Sequence, residues 1–188
     1  MKKTIGLTTG TVKLSPYTIL WKNRYRAEVR RLRHYTEGAT SWLEHIGSTA
    51  IPGLDAKPII DMAMMIPSLR RLPLWIKRLK MAGYTYKGEY GLPGRQFFTR
   101  GNPVTHHLHV VAKGSEHWNR WILFRNYLRV HPKEAEKYNK FKKTLARKYA
   151  HNRDAYTHAK TPLVNQLLAK AMKEQKTLKF IDGVVSSD

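Results

Sequence analysis

The sequence contains no cysteine, which removes disulfide scaffolds, thiolate zinc sites and cysteine nucleophiles together. No apolar run approaches the roughly 20 residues that a membrane-spanning helix needs, so no membrane partner is expected. Dinucleotide and Walker loops are absent. So is the Gly-x-Ser-x-Gly elbow, which argues against a Ser/His/Asp hydrolase although Ser48, histidines and Asp61 are present. Acidic residues are scarce: 13 Asp+Glu stand against 35 Lys+Arg, a net charge of +22. Such an excess repels itself and predicts a polyanionic partner or a solvent-facing positive skin. What is present is otherwise ordinary. A chain of 188 residues, 41% hydrophobic and 26% charged, predicts one domain over 1–188 with a core that needs no staple. Met1-Lys2-Lys3 leads into Thr- and Gly-rich residues without an apolar h-region, so a cytoplasmic location is the expectation.

Residues 1–11 read as a loose lead-in. Ser15-Pro16 resembles an N-cap with proline at the first helical position and predicts a helix to Tyr35. A strand over Trp42–Ile46 ends at Gly47-Ser48, and the breakers Pro52-Gly53 and Lys57-Pro58 fence a loop. The apolar run Ile59–Ile66 is short enough for a buried strand and carries one carboxylate, Asp61. Ser68–Ala82 reads as a helix stopped by Gly83. Short β segments follow at Tyr84–Tyr86, Gln96–Thr99 and His106–Val111. Helices over 116–130, 133–150 and 154–174 make a helical C-terminal part. The order predicts an α+β domain with a small mixed or antiparallel sheet.

Glu44-His45-Ile46-Gly47-Ser48-Thr49-Ala50-Ile51-Pro52-Gly53-Leu54, followed by Ala56-Lys57-Pro58-Ile59-Ile60-Asp61, resembles the signature of the GrpB-like family. That family was long catalogued as an uncharacterised protein family and is placed in the nucleotidyltransferase superfamily. The resemblance continues upstream through Pro16-Tyr17 and Trp21. Downstream it takes in Arg95, His107-Leu108-His109-Val110, Phe124–Leu128 and His131-Pro132 and reaches Tyr138 and Lys142, so it spans nearly the whole chain. It implies a polymerase-β-like nucleotidyltransferase fold, a mixed sheet flanked by helices. Ile46-Gly47-Ser48 stands as the first half of the superfamily motif and Asp61-Met62-Ala63 as the second. Ala63 occupies the place of the second carboxylate.

Nucleotidyl transfer holds the α-phosphate of a nucleoside triphosphate in line with an acceptor, and its developing charge is commonly stabilised by a divalent metal. Gly47, Ser48 and Thr49 at a strand-to-helix junction suit phosphate contact through backbone N–H groups and hydroxyls. Lys57 joins them, and Arg95 is the expected seat of the leaving pyrophosphate. Asp61 is expected at an opening of the sheet or beside a cation, since an unpaired buried carboxylate is costly. By strand period its face continues through Ala63 and Met65. His107 and His109 project from one face of their strand. With Asp61 they form a candidate metal set that suits Zn²⁺, Mn²⁺ or Fe²⁺ better than Mg²⁺. Glu44 is the candidate for the missing acid. Three function classes stand: metal-dependent transfer of a nucleotidyl group from a nucleoside triphosphate to an acceptor, a catalytically decayed fold that binds RNA or DNA, and a nucleotide sensor. No helix-turn-helix, zinc-finger or RNA-recognition signature occurs, so nucleic-acid contact is expected to be non-specific.

Overall fold

The computed structural model of the chain describes residues 5–8, 10–36 and 42–185, with side chains described as far as residue 177. Among the described residues five strands form one mixed sheet: β1 (Leu43–Ile46), β2 (Ile60–Ile66), β3 (Thr85–Tyr86), β4 (Gln96–Arg100) and β5 (His106–Ala112), in the order β1-β2-β5-β4-β3. Only the central pair, β2 and β5, runs parallel. The α+β expectation with a mixed sheet is met.

Strand alternation gives the sheet two different faces. Ile60, Met62, Met64, Phe98, Leu108 and Val110 point one way and are buried against α1 (Leu20–Arg33) and α2 (Leu72–Met81), through Trp21, Leu32, Trp75 and Leu79. Each such buried side chain contributes about 1.5–3 kcal/mol. Glu28 lies within this apolar layer, where Arg31, Arg100 and the Tyr84 hydroxyl satisfy its carboxylate. The other face is polar. It is roofed by α3 (Glu116–Val130), α4 (Pro132–Lys148) and α5 (Arg153–Val185), whose Leu128, Ala135, Tyr138, Leu167 and Ala171 pack with Ile51 and Leu54. Arg125 and Arg129 of α3 bond the carbonyls of His45 and Ala50, anchoring the roof to β1 and the turn after it.

Several local expectations are corrected by tertiary contacts. Of the expected loose lead-in, residues 1–4 and 9 lie outside the described residues, and Gly6 and Leu7 are docked: the Gly6 N–H donates to the Pro58 carbonyl at 2.7 Å, and Leu7 bridges Val104. Ser15 exchanges both backbone hydrogen bonds with Ala56, so it cannot cap a helix, and α1 begins at Leu20. Ser68 caps a 3₁₀ turn, Leu69–Arg71, ahead of α2. Gly83 ends α2 as expected, at φ 74°, with the Tyr84 N–H returning to the Leu79 carbonyl at 2.9 Å. Asn152 accepts from the Ala155 N–H at 2.9 Å and so opens α5.

Candidate functional site

The polar face of the sheet and the helical roof enclose a cleft of about 690 Å³. Register decides what its floor contains. Asp61 lies beside His107 and Ala63 beside His109 across the parallel pair, while Ile46 faces Asp61 and Glu44 faces Ala63 across the antiparallel one. The floor therefore presents Asp61, His107 and His109, and β1 delivers Gly47 and Ser48 to its edge. Gly47 holds φ 68° and ψ −173°, and a Cβ there would stand 2.8 Å from Asp61 Oδ2. Only glycine lets the turn approach the carboxylate this closely. After Gly47 the chain makes a single 3₁₀ turn, Ser48–Ala50, in place of the expected helix start.

His107 Nδ1 lies 2.7 Å from Asp61 Oδ1, and His107 Nε2 lies 3.1 Å from the Arg153 guanidinium. Arginine can only donate, so Nε2 accepts and Nδ1 carries the proton that Asp61 receives. Burial alone would raise the Asp61 carboxyl. The His107 hydrogen bond and the nearby Lys57 charge outweigh it and hold the group ionised, well below the usual carboxylate range. Burial pushes His109 down to about 3, so it is neutral.

The cleft walls are cationic. Lys57, Arg95, Lys142, Arg153 and Lys160 line it against the carboxylates Asp61 and Asp154. Burial, reinforced by Arg153 and Lys160, lowers Lys57 to about 7. Burial and Lys160 lower Lys142 to about 7, and burial lowers Lys160 to about 8. Lys142 donates to the Asp55 carbonyl. Tyr90, Phe97, Trp121, Phe124, Tyr138 and Tyr156 supply the aromatic lining, and Tyr138, raised to about 12 by burial, shares a hydrogen bond with Ser48.

The structure thus gathers Gly47, Ser48, Lys57, Asp61, Arg95, His107 and His109 around one cleft. Two expected residues point elsewhere. The Thr49 side chain is buried and bonds His45 Nε2 at 3.0 Å, and Glu44 is paired with Arg125 at 2.5 Å. Arg95 lines the cleft, yet its guanidinium braces its own loop through the Glu89 and Tyr90 carbonyls and reaches His109 Nδ1 at 3.4 Å.

A resident divalent metal does not fit these donors. Both nitrogens of His107 are engaged, the arginine donor of Arg95 faces His109 Nδ1, Ala63 contributes no oxygen, and the surrounding cations repel another. Among the described residues no three His, Asp or Glu side chains converge as a ligand group. The expected set Asp61, His107 and His109 lines the cleft without forming a metal centre.

Sequence reasoning misses Lys142, Arg153 and Lys160 as site residues, although two of them leave a trace there. Ala135, Tyr138, Lys142 and Leu145 follow helical core spacing, as do Tyr156, Lys160, Leu163 and Leu167. A lysine at a core position of an amphipathic helix signals a buried polar surface.

The family model for GrpB protein matches residues 11–170. A UPF0157 protein of Pseudomonas aeruginosa is 34% identical over 94% of this chain and 74% of its own length. UPF0157 protein YqkA of Bacillus subtilis is 35% identical over 93% of the chain, which spans about half of YqkA's length (51%). The glutamate-rich protein GrpB of Alkalihalophilus pseudofirmus is 33% identical over 87% of the chain and 98% of its own length. The crystal structure of conserved protein GrpB from Enterococcus faecalis superposes with a TM-score of 0.80 at 32% identity, covering 87% of this chain and 99% of that one. The matched residues 11–170 hold every residue of the cleft, and sequence and fold point the same way: the chain belongs to the GrpB family.

Proposed function

We propose that the cleft binds a nucleoside triphosphate and transfers its nucleotidyl group to an acceptor hydroxyl or amine, releasing pyrophosphate. One observation carries this reading: the Gly47-Ser48 turn abuts an ionised Asp61 on the floor of a nucleotide-sized cleft whose walls carry five cationic side chains. The phosphates lie against Lys57 and the cationic wall, and the base stacks on the more exposed aromatics of the lining, Tyr90 and Trp121. The acceptor atom attacks the α-phosphorus, the bond to the pyrophosphate oxygen breaks, and the acceptor proton must go to a base. His107 is that base. Its Nε2 lone pair is capped by Arg153, and a phosphate that draws Arg153 away frees it. Asp61 then steadies the imidazolium through Nδ1–H.

Calorimetric titration with each of the four ribonucleoside triphosphates tests the binding half. At least one should bind while the corresponding nucleoside does not, and failure of all four overturns the proposal. Pyrophosphate release on adding cell-extract acceptors tests transfer. Tight binding with no release under any acceptor favours a nucleotide sensor.

A second reading rests on the outer side of α4, where Lys133, Lys137, Lys140, Arg147 and Lys148 are exposed or half-exposed. Those cations suit RNA or DNA held through phosphates, with a log–log salt slope of about −0.9 per phosphate neutralised on duplex DNA. Replacing Lys137, Lys140 and Arg147 by Glu should flatten that slope. No retention of nucleic acid by the wild type at about 50 mM salt rules the reading out.

A further inference from the structure

We infer that the α4–α5 wall of the cleft is a seat for a chain of linked phosphates, lined by Lys57, Lys142, Arg153 and Lys160, so that the ligand is selected by phosphate-chain length as well as by its nucleoside. This deepens the proposed function and rests on it.

The four cations are brought together from three separate parts of the chain, which sequence-local charge runs do not do. Lys57 and Lys160 both stand over the Tyr156 ring, at 5.7 and 4.5 Å, and Lys142 stands over Tyr138 at 5.0 Å. Aromatic faces are the partners of ammonium groups that have been taken out of water. Among the described residues none of Lys57, Lys142, Arg153 or Lys160 has a carboxylate within ion-pair distance. The positive charges also act on one another: Lys57 is disfavoured as a cation by Arg153 and Lys160, and Lys142 by Lys160 and Lys57. Asp61 favours the charge on Lys57 and Lys160, and Asp55 that on Lys142, but from beyond ion-pair distance and against burial. Buried like charges so incompletely compensated are costly in a folded protein, and a bound polyanion removes that cost. The N-terminus of α5, a helix running from Arg153 to Val185, opens onto the same wall and adds its positive end. Arg95, spent on its own loop, does not compete for the role. A single phosphate can touch part of such a wall, whereas three linked phosphates can span it.

Calorimetry on the full chain with inorganic orthophosphate, pyrophosphate and tripolyphosphate, at about 150 mM salt to screen the general surface field, tests the seat. Affinity should rise with each added phosphate. Lys160→Gln, which sacrifices no hydrogen bond among the described residues, should weaken tripolyphosphate about tenfold or more without lowering the melting temperature. Lys77→Gln, an equal loss of charge on the opposite side of the sheet, should leave it unchanged. Tripolyphosphate binding no tighter than orthophosphate overturns the seat, as does an equal loss in both variants. If ATP binds but no tighter than AMP, the seat falls and the nucleotide reading survives. If neither tripolyphosphate nor any of the four ribonucleoside triphosphates binds, both fall.

Discussion

At the scale of single residues, Gly47 carries the tightest constraint in the cleft. Its backbone conformation is one that side chains resist, and the space a Cβ would fill belongs to Asp61. Gly47→Ala should cost about 1–3 kcal/mol of stability and displace the carboxylate as well, read as a lower urea midpoint. A midpoint equal to wild type would show that the turn relaxes freely. The buried histidines make a second prediction. Burial lowers His45 and His106 to about 4 and His109 to about 3, below the unfolded value near 6.5. Between those values the unfolded chain binds more protons, so stability falls as the solution is acidified. The slope is about 1.4 kcal/mol per pH unit for each histidine, levelling near pH 4 for His45 and His106. Below the ordinary carboxylate range, protonation of Asp61 adds a further loss. Urea midpoints at about pH 7, 5.5 and 4.5 check this, and a flat series would mean that the imidazoles are solvated. Asp61, His107 and His109 are legible as one face because strand alternation is simple. The contacts of Glu44 and Thr49 are not, because Arg125 reaches Glu44 from a distant helix, and Thr49 reaches His45, four residues back, through the turn that Gly47 makes.

At the scale of elements, α3 works as a strut. The Arg125 guanidinium is buried and holds both the Glu44 carboxylate and the His45 carbonyl, so it fixes the edge strand that delivers Gly47. Arg125→Met should cost about 1.5–3 kcal/mol and cost more than Glu44→Gln, since Glu44 is 40% exposed and water can replace part of its bond. Chemical denaturation of the two variants compares them. Equal losses would put the energy in the ion pair itself rather than in the carbonyl anchor. The strands are readable because their apolar runs are short and bounded by Gly, Pro and Ser, and α3 because Gly114-Ser115 and Pro132 mark its two ends. The start of α1 escapes such reading because Ser15-Pro16 has the composition of a cap, while its backbone is committed to Ala56, a partner no local rule supplies. The α4 charge run reads as a solvated face, yet Lys142 turns inward from it.

At the scale of the whole molecule, charge and stability are coupled. Lys57 and Lys142 are lowered to about 7 and Lys160 to about 8 by burial, against an unfolded value near 10.4. Between those limits the unfolded chain holds more protons, so stability should rise with pH. The ligand-free melting temperature at about pH 9.5 should exceed that at about pH 7, and tripolyphosphate should reverse the order by favouring the charged amines. A melting temperature independent of pH would show that the amines are in contact with water. The net charge of +22 is a property of the whole chain. The cleft is another matter, because its two sides lie far apart in sequence: the floor is complete by His109, whereas Arg153 and Lys160 come from α5. Synthesis adds about 5–20 residues per second, so on the order of 3–10 s separates His109 from Lys160 on the ribosome. Through that interval the nascent protein has a floor with no far wall, and only a chain translated past α5's first turns can close the cleft.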